Sequence, residues 1–148
     1  MPYLTCPSPL GPLTLFEEDG AIVSLDWGAV DGGGETSLLE EAARQLEGYF
    51  DGDLTTFDLP LAPMGTAFQR KLWKALQTIP YGETLTYGQL ASRIDSGPRA
   101  IGGACGRNPI PVIIPCHRVL AAGGKMGGYS GLDGLDTKSF LLRLEGAL

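Results

Sequence analysis

The chain has 148 residues, 43% of them apolar, and a formal net charge of −6. That apolar fraction excludes a disordered chain, and the length suits one domain or two small subdomains. No apolar run approaches the roughly 18 residues of a membrane span, and no basic-then-apolar leader opens the chain. Three irregularly spaced cysteines, Cys6, Cys105 and Cys116, make no disulfide framework. A soluble, cytoplasmic protein is expected.

The charge is unevenly spread. Residues 1–62 carry twelve acids against the single base Arg44, whereas residues 63–148 carry five acids and ten bases. Such asymmetry fits an anionic partner for the second half, or acid that merely solubilises the first.

In chain order, Tyr3–Cys6, Gly11–Phe16 and Ala21–Trp27 are rich in β-formers and predict three strands, with a turn at Glu18-Asp19-Gly20. Ser37–Phe50 has helical periodicity, with Leu38, Leu39, Ala42, Ala43, Leu46, Tyr49 and Phe50 on one face. Gly52–Pro63 is extended and rich in breakers, which places a boundary between a domain at 1–62 and another at 63–148. Thr66 and Gln69 spell a capping box for a helix reaching about Thr78, its stripe Phe68, Leu72, Ala75, Leu76 and Ile79. Thr86 can cap Tyr87–Ile94, and Pro98 suits the first position of a helix over Pro98–Gly106. Two short helices joined through Asp95-Ser96-Gly97 suggest a helix-turn-helix or a purely structural helical hairpin. Pro109, Pro111 and Pro115 stiffen the approach to Cys116-His117-Arg118. A glycine-rich loop from Gly123 to Gly134 precedes a last helix over Asp136–Leu148, with Phe140, Leu141 and Leu144 inward. The predicted fold class is a small α/β N-terminal subdomain, an antiparallel sheet plus helix. A mainly α C-terminal domain of winged helix-turn-helix type follows it.

Two features can carry chemistry. His117 is the only histidine and follows Cys116; an imidazole can take the proton of a thiol, and the thiolate is the nucleophile. A buried inert cysteine beside a hydrogen-bonded histidine is the alternative. One histidine and three scattered cysteines offer no metal-ligand spacing, so no metal and no cofactor are expected. The second feature is the run Arg99-Ala100-Ile101-Gly102-Gly103-Ala104-Cys105-Gly106. Each interior glycine destabilises a helix by about 1 kcal/mol, so something close must require them. An ordinary helix is about 10–12 Å across and the minor groove of B-DNA about 6 Å wide. A Gly/Ala helix can press into a widened groove. Tight packing against a neighbouring helix would ask for the same residues.

The segment Asn108-Pro109-Ile110-Pro111-Val112-Ile113-Ile114-Pro115-Cys116-His117-Arg118-Val119 resembles the active-site motif of the O6-alkylguanine-DNA alkyltransferases. The likeness extends to Tyr81-Gly82-Glu83-Thr84-Leu85-Thr86-Tyr87-Gly88-Gln89-Leu90-Ala91, to Arg99–Ala104, to Gly128-Tyr129-Ser130-Gly131 and to Leu144-Glu145-Gly146. It is strong over residues 66–147 and looser over 1–60, where Leu10-Gly11-Pro12-Leu13-Thr14-Leu15 is the best piece. The resemblance implies roles. Cys116 would accept the alkyl group, His117 its proton through a water, and Glu145 would orient His117. Tyr87 would protonate the leaving guanine at N3 and help rotate the 3′ phosphate. Arg99 would fill the gap left by the flipped nucleotide. Thr86, Tyr87, Ala100, Gly102, Gly103 and Arg107 would lie along the DNA. Asn108 would hold the turn before the active-site segment. Tyr129, Ser130, Gly131, Pro111, the Val119 carbonyl and Lys138 would line or border the base pocket.

The implied function is single-turnover repair of O6-alkylguanine, with O4-alkylthymine a second candidate, in double-stranded DNA after base flipping. The expected protein is a monomer with no membrane and no obligate protein partner. Two departures concern the pocket rim and the helix-turn-helix. Leu132 stands where the family often has a second glycine after Ser-Gly, in a slightly longer stretch to Asp136, and the link from Tyr87 to Arg99 is shorter than in some members. The zinc site of some relatives has no histidines to form it here. Rival functions are a non-catalytic alkyltransferase-like lesion binder, in which the acceptor cysteine is typically replaced, and a cysteine hydrolase, which would turn over. A plain helix-turn-helix module, with Cys116 incidental, is a third.

Overall fold

The computed structural model describes residues 1–148, which divide into two compact units, Met1–Met64 and Gly65–Leu148. In the first, β1 (Tyr3–Cys6), β2 (Leu13–Glu18) and β3 (Ala21–Trp27) form an antiparallel sheet in that order. The register pairs Leu15 with Leu4 and Leu25, and a bulge lies at Phe16/Glu17. The middle strand begins at Leu13 rather than Gly11. Gly11 has φ +96° and closes a turn onto the Ser8 carbonyl, and Pro12 has no N–H for the ladder. Helix α1 (Ser37–Phe50) is capped by the Thr36 hydroxyl, which accepts from the Leu39 N–H. Its fully buried Leu39, Ala42, Leu46 and Tyr49 join Leu13, Leu15 and Ile22 in one core. Leu38 and Ala43, expected in that face, are only half-buried, and Gln45 is buried instead. Its amide bonds both the carbonyl and the N–H of Asp58, which satisfies a polar group that burial would otherwise penalise. Ile22 bridges the extended segment at Leu61, with its N–H donating to Pro60 and its carbonyl accepting from Ala62.

The second unit is mainly helical. It contains α2 (Ala67–Leu76), β4 (Leu85–Thr86), α3 (Tyr87–Arg93), α4 (Pro98–Cys105), β5 (Val119–Leu120) and α5 (Leu135–Leu144). The capping box of Thr66 with Gln69 forms on α2, and the expected Thr86 cap of α3 is completed to a second box by Gln89. β4 and β5 pair in parallel. Helices α3 and α4 pack together through buried Leu90, Ala91, Ile101 and Ala104. Trp73 of α2 is buried and donates its indole N–H to the Ala104 carbonyl at 3.0 Å, which pins the C-terminal end of α4 to α2. Phe68 and Ala75, expected to be buried, are half-exposed.

The last helix stops at Leu144, short of the expected Leu148. Gly146 takes φ +74°, its N–H bonds the Arg143 carbonyl, and the Ala147 N–H bonds the Leu142 carbonyl. This is a Schellman motif, which favours glycine at the left-handed position and leaves Glu145 as the C-cap. Phe140 and Leu144 are half-buried, while Leu141, Leu142, Thr137 and Lys138 are buried.

Candidate active site

Cys116 is delivered by a stretch of backbone with little freedom. The Ile113 N–H reaches back to the Pro111 carbonyl at 2.9 Å around Val112, whose φ is +72°. That is a γ-turn of the strained, positive-φ kind, at a buried β-branched residue. The Cys116 N–H then reaches the Ile114 carbonyl at 2.8 Å around Pro115 (φ −82°, ψ 65°), an inverse γ-turn. Asn108 ties these turns together: its amide donates to the Ile114 carbonyl at 2.8 Å and its side-chain oxygen accepts from the Ile110 N–H at 3.0 Å. Cys116–Arg118 form one 3-10 turn.

His117 is fully buried, and Nε2 lies 2.7 Å from Glu145 Oε2. A carboxylate only accepts, so Nε2 carries the proton and Nδ1 is left as an acceptor. Nδ1 has no hydrogen-bond partner within the protein. Burial holds the imidazole below its ordinary range; Glu145 opposes this, while Arg118 and Lys138 reinforce it. His117 is therefore a neutral base near pH 7. Burial also pushes the Cys116 thiol up, opposed by the Asn108 amide and the Lys138 charge. Both thiol and imidazole rest neutral, which suits a proton that moves only as the reaction proceeds.

A pocket of about 500 Å³ opens beside Cys116, lined by Tyr87, Pro98, Gly102, Cys105, Gly106, Cys116, Gly128, Tyr129 and Ser130. Burial raises the Tyr87 phenol above its usual value, opposed by a backbone hydrogen bond at Gly128. Its ring packs on Gly127, where a Cβ would stand 3.1 Å from Cε2. Burial raises Tyr129 as well, and its hydroxyl has no protein partner. Ser130 is exposed and donates to the Gly106 carbonyl at 3.3 Å. The outer side of α4 is bare: Arg99, Ala100 and Gly103 are exposed, as is Arg107 beyond its end, and a Cβ at Gly102 or Gly103 would meet nothing within 4 Å. No neighbouring helix therefore requires those glycines. Thr86 is occupied as the cap of α3.

Several expected pocket residues stand elsewhere. Pro111 and Val119 are buried and Gly131 is half-buried, none of them in the lining. Lys138 is wholly buried and reaches the pocket wall from behind, at Gly128. Its ammonium donates to the carbonyls of Val119 (2.6 Å), Met126 (2.5 Å) and Gly128 (3.2 Å). This cation is a strut that holds the Met126–Gly128 loop against β5. Sequence reasoning missed Cys105, which shares the pocket with Cys116, so a second thiol does stand near it. Burial pushes it up to about 12, with Cys116 contributing, which keeps it a poor nucleophile. Its one signal in sequence was its place on the face of α4 next to Gly102. Arg118 was also missed: it is buried and donates to both Glu145 oxygens, at 2.8 and 3.0 Å.

Fold and site together define a class: a thiol next in the chain to a His–Glu couple, set in a pocket beside a helix-turn-helix whose outer helix presents Ala100, Gly102 and Gly103. Residues 67–147 match the 6-O-methylguanine DNA methyltransferase, DNA binding domain, and residues 1–63 the ribonuclease-like domain of the same proteins. The methylated-DNA--protein-cysteine methyltransferase of Methanosarcina acetivorans is 45% identical, with 99% of each chain covered. That of Mycolicibacterium paratuberculosis is 46% identical, covering 97% of this chain and 91% of the relative. The crystal structure of Mycobacterium tuberculosis OGT in complex with DNA superposes with a TM-score of 0.87 at 44% identity, over 98% of this chain and 92% of that one. The chain belongs to the methylated-DNA–protein-cysteine methyltransferase family.

Proposed function

We propose that this protein repairs O6-alkylguanine in duplex DNA by moving the alkyl group to Cys116, once per molecule. The pocket carries the reading: in a member of this family, Cys116, Tyr87, Tyr129 and Ser130 line one cavity beside the bare face of α4. The Sγ–C bond forms as the C–O6 bond breaks, with sulfur attacking in line. The thiol proton passes to Nδ1 of His117 through a bridging water, and Glu145 stabilises the imidazolium. Guanine leaves with the bonding electrons and takes a proton at N3 from Tyr87, whose phenol is protonated at neutral pH. Arg99 stands in for the extruded nucleotide, and α4 enters the minor groove with Ala100, Gly102 and Gly103. Thr86 and Arg107 contact the backbone. Asn108 holds the Cys116 turns.

Residues 63–148 are the DNA-binding and acceptor domain in this reading, acting as a monomer in the cytoplasm. No helix is long and apolar enough to cross a membrane. The presence of Cys116 favours transfer over mere lesion binding. Incubation with a duplex containing O6-methylguanine, followed by intact-mass and peptide measurement, should find one added methyl on Cys116. An unmodified protein that still binds the lesion would make it a lesion binder. Label on Cys6 or Cys105 would remove Cys116 from its role.

A further inference from the structure

The motif Tyr81-Gly82 and the residue Arg118 have no part in the reaction as written, yet they converge on Glu145. The Arg118 Nε and Nη2 groups donate to Glu145 Oε1 and Oε2, and its Nη1 donates to the Ile79 carbonyl at 2.6 Å, just past the end of α2. The guanidinium stands 5.9 Å from the centre of the Tyr81 ring. The Tyr81 hydroxyl donates to the Leu144 carbonyl at 3.2 Å, and a Cβ on Gly82, where φ is +82°, would come within 3.2 Å of the Glu145 carbonyl. The turn after α2 is therefore wrapped around the C-cap of α5, with Arg118 as the bridge. Oε2 is shared by His117 and Arg118, so the place of the imidazole depends on a carboxylate that the guanidinium fixes.

We propose that Arg118 is a positioning residue of the alkyl-transfer site: its planar fork, anchored on Ile79 and Tyr81, fixes the Glu145 carboxylate and through it the ring and tautomer of His117. A fork that takes both oxygens holds a carboxylate in one plane, which a point charge does not. The charge acts too. Arg118 disfavours protonation of His117 and so keeps Nδ1 ready to accept. The other charged groups that act on His117 are Glu145, the C-cap of α5, and Lys138 within that helix; the α2 cations Arg70, Lys71 and Lys74 are exposed. This inference rests on the alkyl-transfer reading for its kinetic arm but not for its spectroscopic one.

His117 is the only histidine, so its ring nitrogens can be followed by 15N NMR without ambiguity. The test compares wild type, Arg118→Met and Arg118→Lys, with thermal melts to establish that each is folded. In folded Arg118→Met, His117 should titrate at higher pH than in wild type. Alkyl transfer from O6-benzylguanine should slow by on the order of ten- to a hundredfold, with its acid limb moved to higher pH. Arg118→Lys keeps the cation and loses the fork. It should titrate close to wild type yet transfer more slowly, and it carries the test if the Met variant fails to fold. An unchanged His117 titration in folded Arg118→Met, or a rate loss with an unchanged pH profile, would reduce Arg118 to a structural filler and overturn the proposal. Wild-type transfer rates in Arg118→Lys would overturn the fork. If wild type itself transfers nothing to Cys116, the functional reading fails, while the His117 titration still decides the role of Arg118.

Discussion

Cys116→Ser should abolish alkyl transfer and leave duplex affinity nearly unchanged, because phosphate contacts, not the pocket floor, supply most of that affinity. Gel-shift and mass measurements on the same preparation separate the two. Lys138→Met should be costly for a different reason. It leaves three carbonyls without their donor; the buried one at Val119 is worth about 1–3 kcal/mol, and the part-buried ones at Met126 and Gly128 less because water can replace the ammonium, so a drop of roughly 2–4 kcal/mol in denaturant unfolding is expected. The pH dependence follows from His117. Its folded value lies below the unfolded one, so the unfolded chain binds the extra proton first as pH falls. The contribution is fully present above the unfolded value near 6.5 and is lost as pH falls through the lowered folded value. Melting temperature should therefore decline on acidification below about pH 6.5, together with the transfer rate, which needs the neutral imidazole. A melting curve flat down to pH 5 would contradict the burial of a neutral His117.

Helix α4 offers the clearest separation of stability from function. Gly103→Leu adds a side chain to open space and removes a poor helix former. Stability should rise by about 0.5–1 kcal/mol while duplex binding falls sharply, because the bulk meets the groove. Transfer from free O6-benzylguanine should persist, and parallel losses on both substrates would place Gly103 in packing instead. Arg99→Ala should likewise slow duplex repair far more than repair of the free base, which needs no extrusion. What the sequence showed at this scale was local. Thr66 with Gln69 and Thr86 with Gln89 are readable because capping joins residues three apart. The stop at Leu144 was readable too, had Gly146 been weighed as a Schellman glycine rather than as part of a helix running to Leu148. Trp73, Arg118 and Lys138 were not readable. Their burial depends on partners 10 to 39 residues away, and a polar side chain looks solvent-facing until those partners are known. Cys105 fell between the cases: its helix was legible, but not that this face looks into the cavity of Cys116.

Taken whole, the chain is acidic, yet its affinity for DNA should fall steeply with salt, because the excess base is confined to residues 63–148. A log–log plot of affinity against salt with no slope would rule out phosphate contact by that half. Excess substrate should give a plateau of one alkyl group per protein, since a thioether has no leaving path here and the Cys105 thiol is held protonated. Continued release past that plateau would mean a turning-over enzyme. The two γ-turns before Cys116 give the spent molecule a further property. Val112 is already held in a disfavoured conformation and the ring of Pro115 fixes its φ, so the backbone beneath a newly methylated sulfur has little slack to give. Extra volume in such a packed place usually destabilises by roughly 1–3 kcal/mol. Methylated protein should therefore melt lower than fresh protein and be cut faster by an added protease, so that the digestion rate reports how many molecules have been spent; equal digestion of the two would show that the backbone absorbs the added group.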